Sequence, residues 1–371
     1  MNRKKILIAC GGSAGHIFPG LTLAREMNRC YGGEVDISFL TTDNELGRSL
    51  LGESGFRFRT LPVRGARGCS FREAAGFAYG MLKGSFMSLR LIRSEKPDCF
   101  VGFGAYAAGP PFLASLLLKV PTLIHEQNVS MGRANRIMRN FATKVALSFP
   151  EECMPVKPGT VVTGNPIRRS ALKTDDKKAS RRALGLEEGR FTLLATGGSQ
   201  GSGRINGIVP EALERGGAAI RDSLQVIHLA GKKDMGSVNK KYESMGIIHR
   251  VFSFFNDMAV IYSAADAAVS RAGSSAIFEL CARGIPTILI PYPFAGGHQI
   301  RNASYLRKRG AAIVIKESEL TEERLSSSIA CLMRDKENIT AMKKAMAGLA
   351  VSDSAERLSL EVGRLAGLSK G

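Results

Sequence analysis

Two glycine-rich segments of the sequence have the composition of phosphate-binding loops. Residues 11–15 and 197–201 both belong to a pattern A-x-G-G-S-x-G, and Ala195 of the second copy lies 186 residues after Ala9 of the first. Glycine lets a backbone approach a ligand closely, and a helix that follows such a loop presents unpaired N–H groups to an anion. Each segment therefore predicts a diphosphate site.

The spacing of these glycines limits which nucleotide they could bind. Neither segment has the G-x-G-x-x-G spacing of dinucleotide-binding loops, and the sequence has no G-K-[ST] of a P-loop. Asp43, placed after the second predicted strand, keeps a nicotinamide dinucleotide open as an alternative, because an acid at that point can bind a ribose.

Residues 270–302 have the order of a ligand-binding unit, which is loop, helix, buried strand and loop. Ser274 and Ser275 are predicted N-cap residues of a helix whose start would attract an anion, and Glu279 is the acid near that start. Beyond the strand, at the sheet edge where open α/β folds bind ligands, we expect three hydrogen-bonding side chains: His298, Gln299 and Asn302.

Histidine and acid side chains that follow predicted strands are the candidate general bases. His16 follows the first glycine loop, and the pair His125 and Glu126 follows a short apolar strand. The five histidines show no paired ligand spacing and no D-x-D motif occurs, so we expect neither a metal site nor a cofactor. Helix N-termini, Ser199 and a basic side chain such as Arg168 would then stabilise the charge of a departing diphosphate.

Short apolar runs alternating with helical patterns predict an α/β protein. The 371 residues exceed the usual size of one domain, and the repeated glycine loop predicts two domains of similar construction. A turn signal at residues 164–166 is the predicted linker, which gives domains at 1–165 and 166–341. The predicted strands are residues 5–10, 35–41, 98–103, 122–124 and 160–163, then 192–196, 226–230, 248–252, 267–270 and 288–290, and the first helix is 18–28.

A basic segment, residues 57–96, carries nine Lys and Arg residues against two acids in a chain of net charge +19. One face of its predicted helix repeats at helical spacing and is the expected core face: Phe71, Ala75, Ala78, Leu82 and Leu89. A second face interleaves basic and aromatic side chains: Arg72, Tyr79, Lys83, Phe86 and Arg90. That second face is either a solvated charged surface or a patch that binds a membrane surface.

Composition excludes several classes of protein. The seven cysteines are an odd number without a C-x-x-C pair, so we expect reduced thiols in a cytosolic protein. Residues 99–118 form the longest uncharged stretch, but its glycines and prolines fit a strand, a turn and a helix start better than a membrane span. The positive charge is spread over both halves without a recognised nucleic-acid motif, so we expect no nucleic-acid partner.

Seven motifs, in order and across nearly the whole chain, resemble glycosyltransferase family 28. They are ACGGSAGHIFPG, GFGAYAAGPP, IHEQN, TGNPIR, TGGSQGSGRIN, SRAGSSAIFELCARGIP and PYPFAGGHQIRNA. The resemblance implies the GT-B fold, two Rossmann-like domains with parallel sheets that face a cleft, with the donor bound mainly by the C-terminal domain and the acceptor by the N-terminal one. It also implies that a helix at about 342–371 packs back on the N-terminal domain.

The function implied by the resemblance is an inverting transfer in peptidoglycan synthesis. N-acetylglucosamine would pass from UDP-N-acetylglucosamine to the 4-hydroxyl of the muramyl sugar of lipid I, an undecaprenyl-diphosphate-linked muramyl peptide, to form lipid II. An anionic membrane surface is the further expected partner, and the expected location is peripheral, on the cytoplasmic face of the bacterial inner membrane. A UDP-N-acetylglucosamine epimerase, or another sugar-nucleotide enzyme of the same fold, stays as the alternative.

Donor contacts follow from the resemblance residue by residue. Glu279 would bind the ribose hydroxyls, and the backbone of Phe255 would bind uracil. The diphosphate would contact Ser199, Ser274, Ser275 and Ala276, and the sugar would contact Asn128, Gln299 and His298. Further matches to family positions near the donor are Ser13, Gly15, Arg168, Asn206 and Arg271.

The acceptor side is assigned in the same way. The acceptor diphosphate would bind the first glycine loop, Gly11, Gly12, Ser13 and Gly15, and other matches are Tyr106, His125, Glu126 and Asn135. His16 is the expected base that deprotonates the acceptor hydroxyl, with Glu126 as its rival. Two positions depart from the family pattern, since Ala14 stands where glycine is usual and His298 stands where glutamine is common.

Overall fold

Parallel sheets form the centre of each half of the chain, as the short apolar runs predict. The computed structural model describes residues 3–65, 71–150, 158–198 and 200–369. The chain divides into unit 1, which is Met1–Ile167 together with Asp353–Gly371, and unit 2, which is Arg168–Ser352. Ser199 and the side chains of Phe71 and Arg72 lie outside the described part of the chain.

Unit 1 contains a seven-stranded parallel sheet of order β3-β2-β1-β4-β5-β6-β7. Its strands are β1 (Lys4–Ala9), β2 (Val35–Thr42), β3 (Arg57–Leu61), β4 (Cys99–Gly102), β5 (Thr122–Glu126), β6 (Lys144–Leu147) and β7 (Thr160–Val162). Its helices are α1 (Ala14–Tyr31), α2 (Glu45–Gly52), α3 (Phe71–Glu95), α4 (Gly109–Leu117), α5 (Arg133–Met138) and α16 (Ser354–Ala366). Both faces of the sheet are covered by apolar clusters, which explains the continuous apolar strands.

Unit 2 contains a six-stranded parallel sheet of order β10-β9-β8-β11-β12-β13. Its strands are β8 (Phe191–Thr196), β9 (Leu224–Leu229), β10 (His249–Phe252), β11 (Ala267–Ser270), β12 (Thr287–Leu289) and β13 (Ile313–Val314). Its helices are α6 (Arg169–Leu172), α7 (Lys177–Ala183), α8 (Gly203–Arg215), α9 (Ala218–Arg221), α10 (Met235–Ser244), α11 (Met258–Ala264), α12 (Ser274–Arg283), α13 (His298–Lys308), α14 (Glu322–Arg334) and α15 (Lys336–Leu349).

Strand order confirms the prediction of two Rossmann-like domains. Counted within its own unit, each sheet has the order 3-2-1-4-5-6 of the dinucleotide-binding fold, with one further strand in unit 1. The two glycine loops follow β1 and β8, which are the equivalent first strands. Both loops therefore lie at a topological switch point, where ligands bind in such sheets.

Helix α16 joins unit 1 although the whole of unit 2 separates it from the rest of that unit in sequence. Leu358 and Val362 are fully buried in the cluster that covers β1. A Cβ atom on Gly363 would lie 2.0 Å from the hydroxyl oxygen of Tyr31, so the close contact between α16 and α1 requires glycine there. Lys144 also forms an ion pair with Glu361.

The buried face of helix α3 differs from the face that the sequence predicts. Ala75, Ala78 and Leu82 are exposed, and the buried positions are instead Gly80, Gly84, Ser88 and Ile92, spaced four residues apart. A Cβ atom at Gly80 would lie 2.8 Å from the carbonyl oxygen of Pro62, so small residues let the helix lie close to the chain after β3. Leu89 is partly buried and packs against the core as predicted, whereas the larger side chains of Tyr79, Leu82 and Phe86 are exposed.

Two helix starts also differ from the predictions. Helix α1 begins at Ala14 rather than Phe18, so Ala14 is the first helical residue and the wider backbone freedom of glycine is not needed there. The N-cap of α12 is Gly273, in an extended conformation, and both Ser274 and Ser275 lie in the first helical turn. Serine at either position is therefore not the cap, because the backbone turns into the helix one residue earlier.

Candidate functional site

The loop after β1 is packed so closely that two of its positions require glycine. A Cβ atom on Gly11 would lie 2.6 Å from Cβ of Ala105, and one on Gly12 would lie 2.0 Å from Oγ1 of Thr42. Ala105 adopts φ 58° and ψ 168°, a conformation nearly confined to glycine that costs about 1–3 kcal/mol. The loops after β1 and β4 thus form one tight backbone surface at the switch point of unit 1.

His16 lies in the first turn of α1, next to this loop. The hydroxyl of Ser13 is hydrogen-bonded to Nδ1 of His16 at 2.7 Å instead of capping the helix. The backbone N–H of His16 donates to the carbonyl of Ser13 at 3.0 Å. His16 is half-buried, while Ser13 and Gly15 are exposed. An oriented imidazole and a hydroxyl therefore stand at a helix N-terminus, where an anion is favoured.

The carboxylate of Glu126 is engaged by the loop that follows it. Oε1 accepts from the backbone N–H and the side-chain amide of Asn128, at 2.9 and 3.2 Å. Oε2 accepts from the backbone N–H of Gly132 and from Nδ2 of Asn135, both at 2.9 Å. Glu126 is 2% exposed. Four donors on one buried carboxylate occupy its acceptor positions, which favours His16 over Glu126 as the base.

His125 is buried in unit 1 and is neutral near pH 7. Burial lowers the pKa of its imidazole to about 4. Nε2 faces the carbonyl oxygen of Gly164 at 3.2 Å, and because that oxygen can only accept, Nε2 carries the ring proton. The backbone carbonyl of His125 accepts from Asn135 at 3.1 Å. These contacts hold the chain after β7 and helix α5 against β5.

Tyr106 begins the short 3-10 turn that follows β4 and is half-buried. Its ring packs against Gly65, where a Cβ atom would lie 2.9 Å from Cε1. Because β1, β4 and β5 are neighbours in a parallel sheet, the loops after them share one edge. That edge brings together the predicted acceptor residues Ser13, His16, Tyr106, Glu126 and Asn135.

In unit 2 the loop after β8 is equally tight. A Cβ atom on Gly197 would lie 2.3 Å from the backbone nitrogen of Ser202, and one on Gly201 would lie 2.0 Å from the carbonyl oxygen of Ala230. Gly201 has φ +76°, which further restricts the position to glycine. The interpretation of Ser199 as a diphosphate contact falls on a residue outside the described part of the chain.

A buried hydrogen-bond chain stabilises the loop after β9. The Tyr242 hydroxyl lies 2.9 Å from Nδ1 of His228, and Nε2 of His228 lies 3.0 Å from Oδ1 of Asn206. Nδ2 of Asn206 donates to the carbonyl of Ala230 at 2.8 Å and to Asp234 at 2.9 Å. Burial lowers the pKa of His228 to about 3. Asn206 therefore supports the glycine loop indirectly, because it holds the Ala230 carbonyl that lies against Gly201.

The start of α12 has the features of an anion site. The backbone N–H groups of Ser274, Ser275 and Ala276 occupy its first turn, where no intrahelical acceptor exists. The hydroxyl of Ser275 is buried and has no hydrogen-bond partner within the described residues. The helix dipole adds partial positive charge at the same point.

Glu279 lies one turn further along α12 and is 7% exposed. Arg168 donates from Nε to Oε1 at 3.0 Å and from Nη2 to Oε2 at 3.1 Å, and the Tyr262 hydroxyl donates to Oε2 at 2.7 Å. Burial alone would lower the pKa of Arg168, but the Glu279 carboxylate outweighs burial and raises it. Burial and the same carboxylate raise the pKa of Tyr262 well above its usual value.

Arg271 and Gln299 connect the loops around this helix start. Arg271 donates to Ser202 Oγ and to the carbonyl of Ile290, both at 3.1 Å, and forms an ion pair with Glu317 at 2.5 Å. Oε1 of Gln299 accepts from the backbone N–H groups of Ala272 and Tyr292, at 3.2 and 3.0 Å. Both side chains thus fix the backbone around the start of α12.

The remaining donor candidates lie at three other places in the fold. His298 is the first residue of α13, after Gly297 in a left-handed conformation. Phe255 follows β10, and its ring packs on Phe252 with a centroid separation of 4.8 Å. Asn128 lies in unit 1, on the loop held by Glu126.

Two positioning residues were missed by sequence reasoning. Tyr262 is a buried α11 residue in an apolar run, and its type alone gave no signal of a partner. Asn44 is the N-cap of α2, where its Oδ1 accepts from Gly47 N–H at 2.9 Å, while its Nδ2 donates to the carbonyl of Gly12 at 2.7 Å. The cap position of Asn44 was readable from the sequence, but its bond to the glycine loop was not.

An exposed apolar surface occurs on unit 1. On α3, Tyr79 is 65%, Leu82 73% and Phe86 69% exposed, and the ammonium of Lys83 lies 5.8 Å from the centre of the Tyr79 ring. Further exposed apolar side chains on or after the nearby helices α4 and α5 are Leu113, Leu117, Ile137 and Phe141. We call this set the apolar surface of unit 1. Clusters of this kind on a protein surface mark interaction sites.

Within the described ranges, no helix has both the length and the apolar composition needed to span a bilayer. The same residues contain no group of three or more His, Cys, Asp or Glu side chains arranged to hold a metal ion.

Comparisons with known proteins cover nearly the whole chain. Residues 6–147 match the glycosyltransferase family 28 N-terminal domain, and residues 192–358 match the glycosyltransferase family 28 C-terminal domain. The MurG crystal structure from Acinetobacter baumannii has a TM-score of 0.78 and 26% identity, covering 98% of this chain and 99% of that one. Together with the two Rossmann-like sheets, this match confirms the expected GT-B fold.

Two curated relatives carry the name UDP-N-acetylglucosamine--N-acetylmuramyl-(pentapeptide) pyrophosphoryl-undecaprenol N-acetylglucosamine transferase. The one from Thermodesulfovibrio yellowstonii is 37% identical and covers 92% of this chain and 93% of its own length. The one from Geobacter metallireducens is 38% identical, with coverages of 95% and 96%. A UDP-N-acetylglucosamine 2-epimerase structure has a TM-score of 0.69 but 14% identity, which shows the fold alone.

Proposed function

Because the chain belongs to glycosyltransferase family 28, we propose that it transfers N-acetylglucosamine from UDP-N-acetylglucosamine to lipid I and so forms lipid II. The observation that carries this proposal is the near full-length similarity to relatives named for that transfer. The epimerase alternative shares only the fold. A nucleic-acid binder is not supported by any motif in the sequence.

Donor binding is proposed for unit 2. The N–H groups at the start of α12 would bind the diphosphate, Glu279 would bind the ribose, and the backbone near Phe255 would bind uracil. Gln299 and His298 would bind the sugar. This division is supported by the position of α12 after β11, beside the second glycine loop at the switch point of its sheet.

Acceptor binding is proposed for unit 1, with the diphosphate of lipid I on the loop of Gly11, Gly12, Ser13 and Gly15. The muramyl 4-hydroxyl attacks the anomeric carbon, its proton passes to His16, and the bond from that carbon to the diphosphate oxygen breaks with inversion. UDP leaves with the electron pair, and its charge is stabilised by the α12 dipole and Arg168. For His16 to accept the proton on Nε2, Nδ1 must carry the ring proton and donate it to Ser13 Oγ.

Attachment to an anionic membrane is proposed for the apolar surface of unit 1. Its aromatic and aliphatic side chains would enter the interface between headgroups and acyl chains, while Lys83 and Arg90 on the same helix would pair with anionic headgroups. A lipid-linked acceptor requires such an approach. The proposed location is therefore peripheral, on the cytoplasmic face of the bacterial inner membrane.

The direct test combines the purified protein with UDP-N-acetylglucosamine and a soluble lipid I analogue. We expect a disaccharide with a β-1,4 link and release of UDP, with and without EDTA. Conversion of UDP-N-acetylglucosamine to its 2-epimer without any acceptor would support the epimerase instead. Activity that EDTA abolishes and magnesium restores would contradict charge stabilisation by the helix and Arg168 alone.

A further inference from the structure

The buried hydrogen-bond chain of unit 2 runs in one direction, which is fixed by its last member. Nδ2 of Asn206 lies 2.8 Å from the carbonyl oxygen of Ala230 and 2.9 Å from Oδ2 of Asp234, and both of these oxygens are acceptors. Oδ1 of Asn206 therefore faces Nε2 of His228, at 3.0 Å, and Nε2 must carry the ring proton. Nδ1 of His228 is then an acceptor, so the Tyr242 hydroxyl donates to it at 2.9 Å.

Burial makes this direction difficult to change. Tyr242 and His228 are fully buried, and Asn206 is 4% exposed. Burial lowers the pKa of His228 to about 3 and raises that of Tyr242, so near pH 7 the imidazole is neutral and the phenol keeps its proton. A turned amide of Asn206 would place a donor against Nε2–H of His228 and withdraw the donor from the Ala230 carbonyl. The tautomer of the ring and the orientation of the amide are therefore coupled.

The chain ends on a backbone segment that lies directly against the second glycine loop. A Cβ atom on Gly201 would lie 2.0 Å from the carbonyl oxygen of Ala230, and one on Gly231 would lie 2.4 Å from the carbonyl oxygen of Gln200. The glycine loop is itself closed by the Gly201 N–H, which donates to the carbonyl of Gly198 at 3.0 Å. A displaced Ala230 carbonyl would therefore displace the glycine loop.

Resting on the sugar-nucleotide function proposed above, with the donor diphosphate at the second glycine loop and the start of α12, we propose that Tyr242 and His228 are positioning residues for that diphosphate. They act through Asn206, which holds the Ala230 carbonyl against the loop. Neither side chain touches the nucleotide, since Tyr242 is buried in α10 and His228 in β9. The uridine moiety is assigned to other loops, so its binding does not depend on the chain.

The experiment measures the binding of UDP and of uridine by titration calorimetry, with the weaker ligand followed by displacement. In Tyr242→Phe, Nδ1 of His228 loses its donor, so the ring can adopt the other tautomer and Asn206 can turn away from Ala230. The affinity for UDP should fall about tenfold, whereas the affinity for uridine should change less than about twofold. The ratio of the two affinities is the readout, because a general loss of order would lower both.

The matched control is Thr192→Val, which also removes one buried hydroxyl from unit 2. Oγ1 of Thr192 accepts from Nε2 of Gln225 at 2.9 Å, at the start of β8 and at the opposite end of that strand from the glycine loop. Both affinities should equal those of the wild type.

Two further variants test the route through Asn206. In an Asn206→Ala background, Tyr242→Phe should cause no additional loss of UDP affinity, because the chain is already interrupted. His228→Gln can place an amide donor near the position of Nε2, so it should keep more UDP affinity than His228→Leu does. Additional loss in the Asn206→Ala background would overturn the inference, since Tyr242 would then act by another route.

An unchanged ratio of UDP to uridine affinity in a folded Tyr242→Phe protein would also overturn the inference. Should that variant fail to fold, proton–nitrogen correlation spectra of the wild-type histidine rings decide. A ring proton on Nε2 of His228 supports the inference, and one on Nδ1 overturns it. Failure of the proposed function has a different signature, which is a wild-type protein that binds neither UDP nor uridine and transfers no sugar.

Discussion

The hydroxyl oxygen of Ser13 lies 2.7 Å from Nδ1 of His16, across the first turn of α1. This contact fixes the ring at the edge of the first glycine loop through Nδ1, so Nε2 is the nitrogen proposed to accept the proton. A histidine oriented by one hydroxyl is the arrangement that a general base requires. The pair therefore gives the most direct test of the proposed mechanism.

His16→Ala should lower kcat by about 10²–10⁴-fold with little change in the donor KM, because proton transfer is lost while donor binding is kept. Ser13→Thr keeps the hydroxyl and is the matched control for Ser13→Ala, which should lower kcat less than His16→Ala does. Initial rates with a lipid I analogue measure all three. Near-normal turnover in His16→Ala would contradict the assignment of the base.

Asn44 allows the helix cap to be separated from the support of the glycine loop. Asn44→Asp keeps the oxygen that caps α2 but replaces the amide donor to Gly12 with an acceptor, so the acceptor KM should rise while thermal stability changes little. Asn44→Ala loses both contacts and should also destabilise unit 1 by about 1 kcal/mol. A calorimetric melt and the acceptor KM distinguish the two effects, and an unchanged acceptor KM in both variants would exclude the role.

Glu126→Gln should act through structure. The new amide group places a donor against the existing donors of the loop, which should lower the free energy of unfolding by about 1–3 kcal/mol. The melting temperature should fall, and activity should fall with the loss of loop order. If the variant kept its melting temperature but lost turnover completely, Glu126 would regain its place as the rival base.

Stability should depend on pH through His125 and His228. Burial holds their folded pKa values at about 4 and about 3, below the unfolded value near 6.5, so the unfolded chain binds more protons in the window between. The contribution of these two histidines to the free energy of unfolding is therefore complete above pH 6.5. It should fall by about a few kcal/mol as the pH drops toward 4. Urea unfolding across this range measures the slope, and His125→Gln should make it shallower.

Membrane binding should depend on the apolar surface of unit 1. Phe86→Glu and Leu82→Glu should reduce co-sedimentation with anionic vesicles, and Lys83→Ala should weaken it by about 1 kcal/mol at low salt. Met235→Glu, at an exposed apolar position in unit 2, is the control and should bind as the wild type does. Vesicle binding that changes neither with the anionic lipid content nor with the salt concentration would contradict the proposal.

The sequence was sufficient for features that depend on local pattern. Parallel strands, the paired glycine loops and the helix that carries Glu279 followed from apolar runs, glycine spacing and helix signals, because each is determined within about a dozen residues. The near full-length resemblance supplied the fold name and the transfer reaction.

Features that depend on contacts between distant segments were not readable in this way. Helix α3 shows this most clearly, since Gly80 and Gly84 form its buried stripe and Leu82 is exposed, the reverse of what apolar periodicity indicates. The partners of Glu279 are also distant in sequence, because Arg168 lies 111 residues away. The engagement of Glu126 by Asn135 likewise required the folded loop.

The return of α16 to unit 1 has a consequence for biosynthesis. A ribosome must make all of Arg168–Ser352 before Leu358 and Val362 can cover β1. Until then, part of the apolar core of the nascent N-terminal sheet is exposed to solvent. Unit 2 has no such dependence and can complete its core first. The order of maturation is then the reverse of the order of translation, and the interval is when the unfinished sheet most needs protection from aggregation.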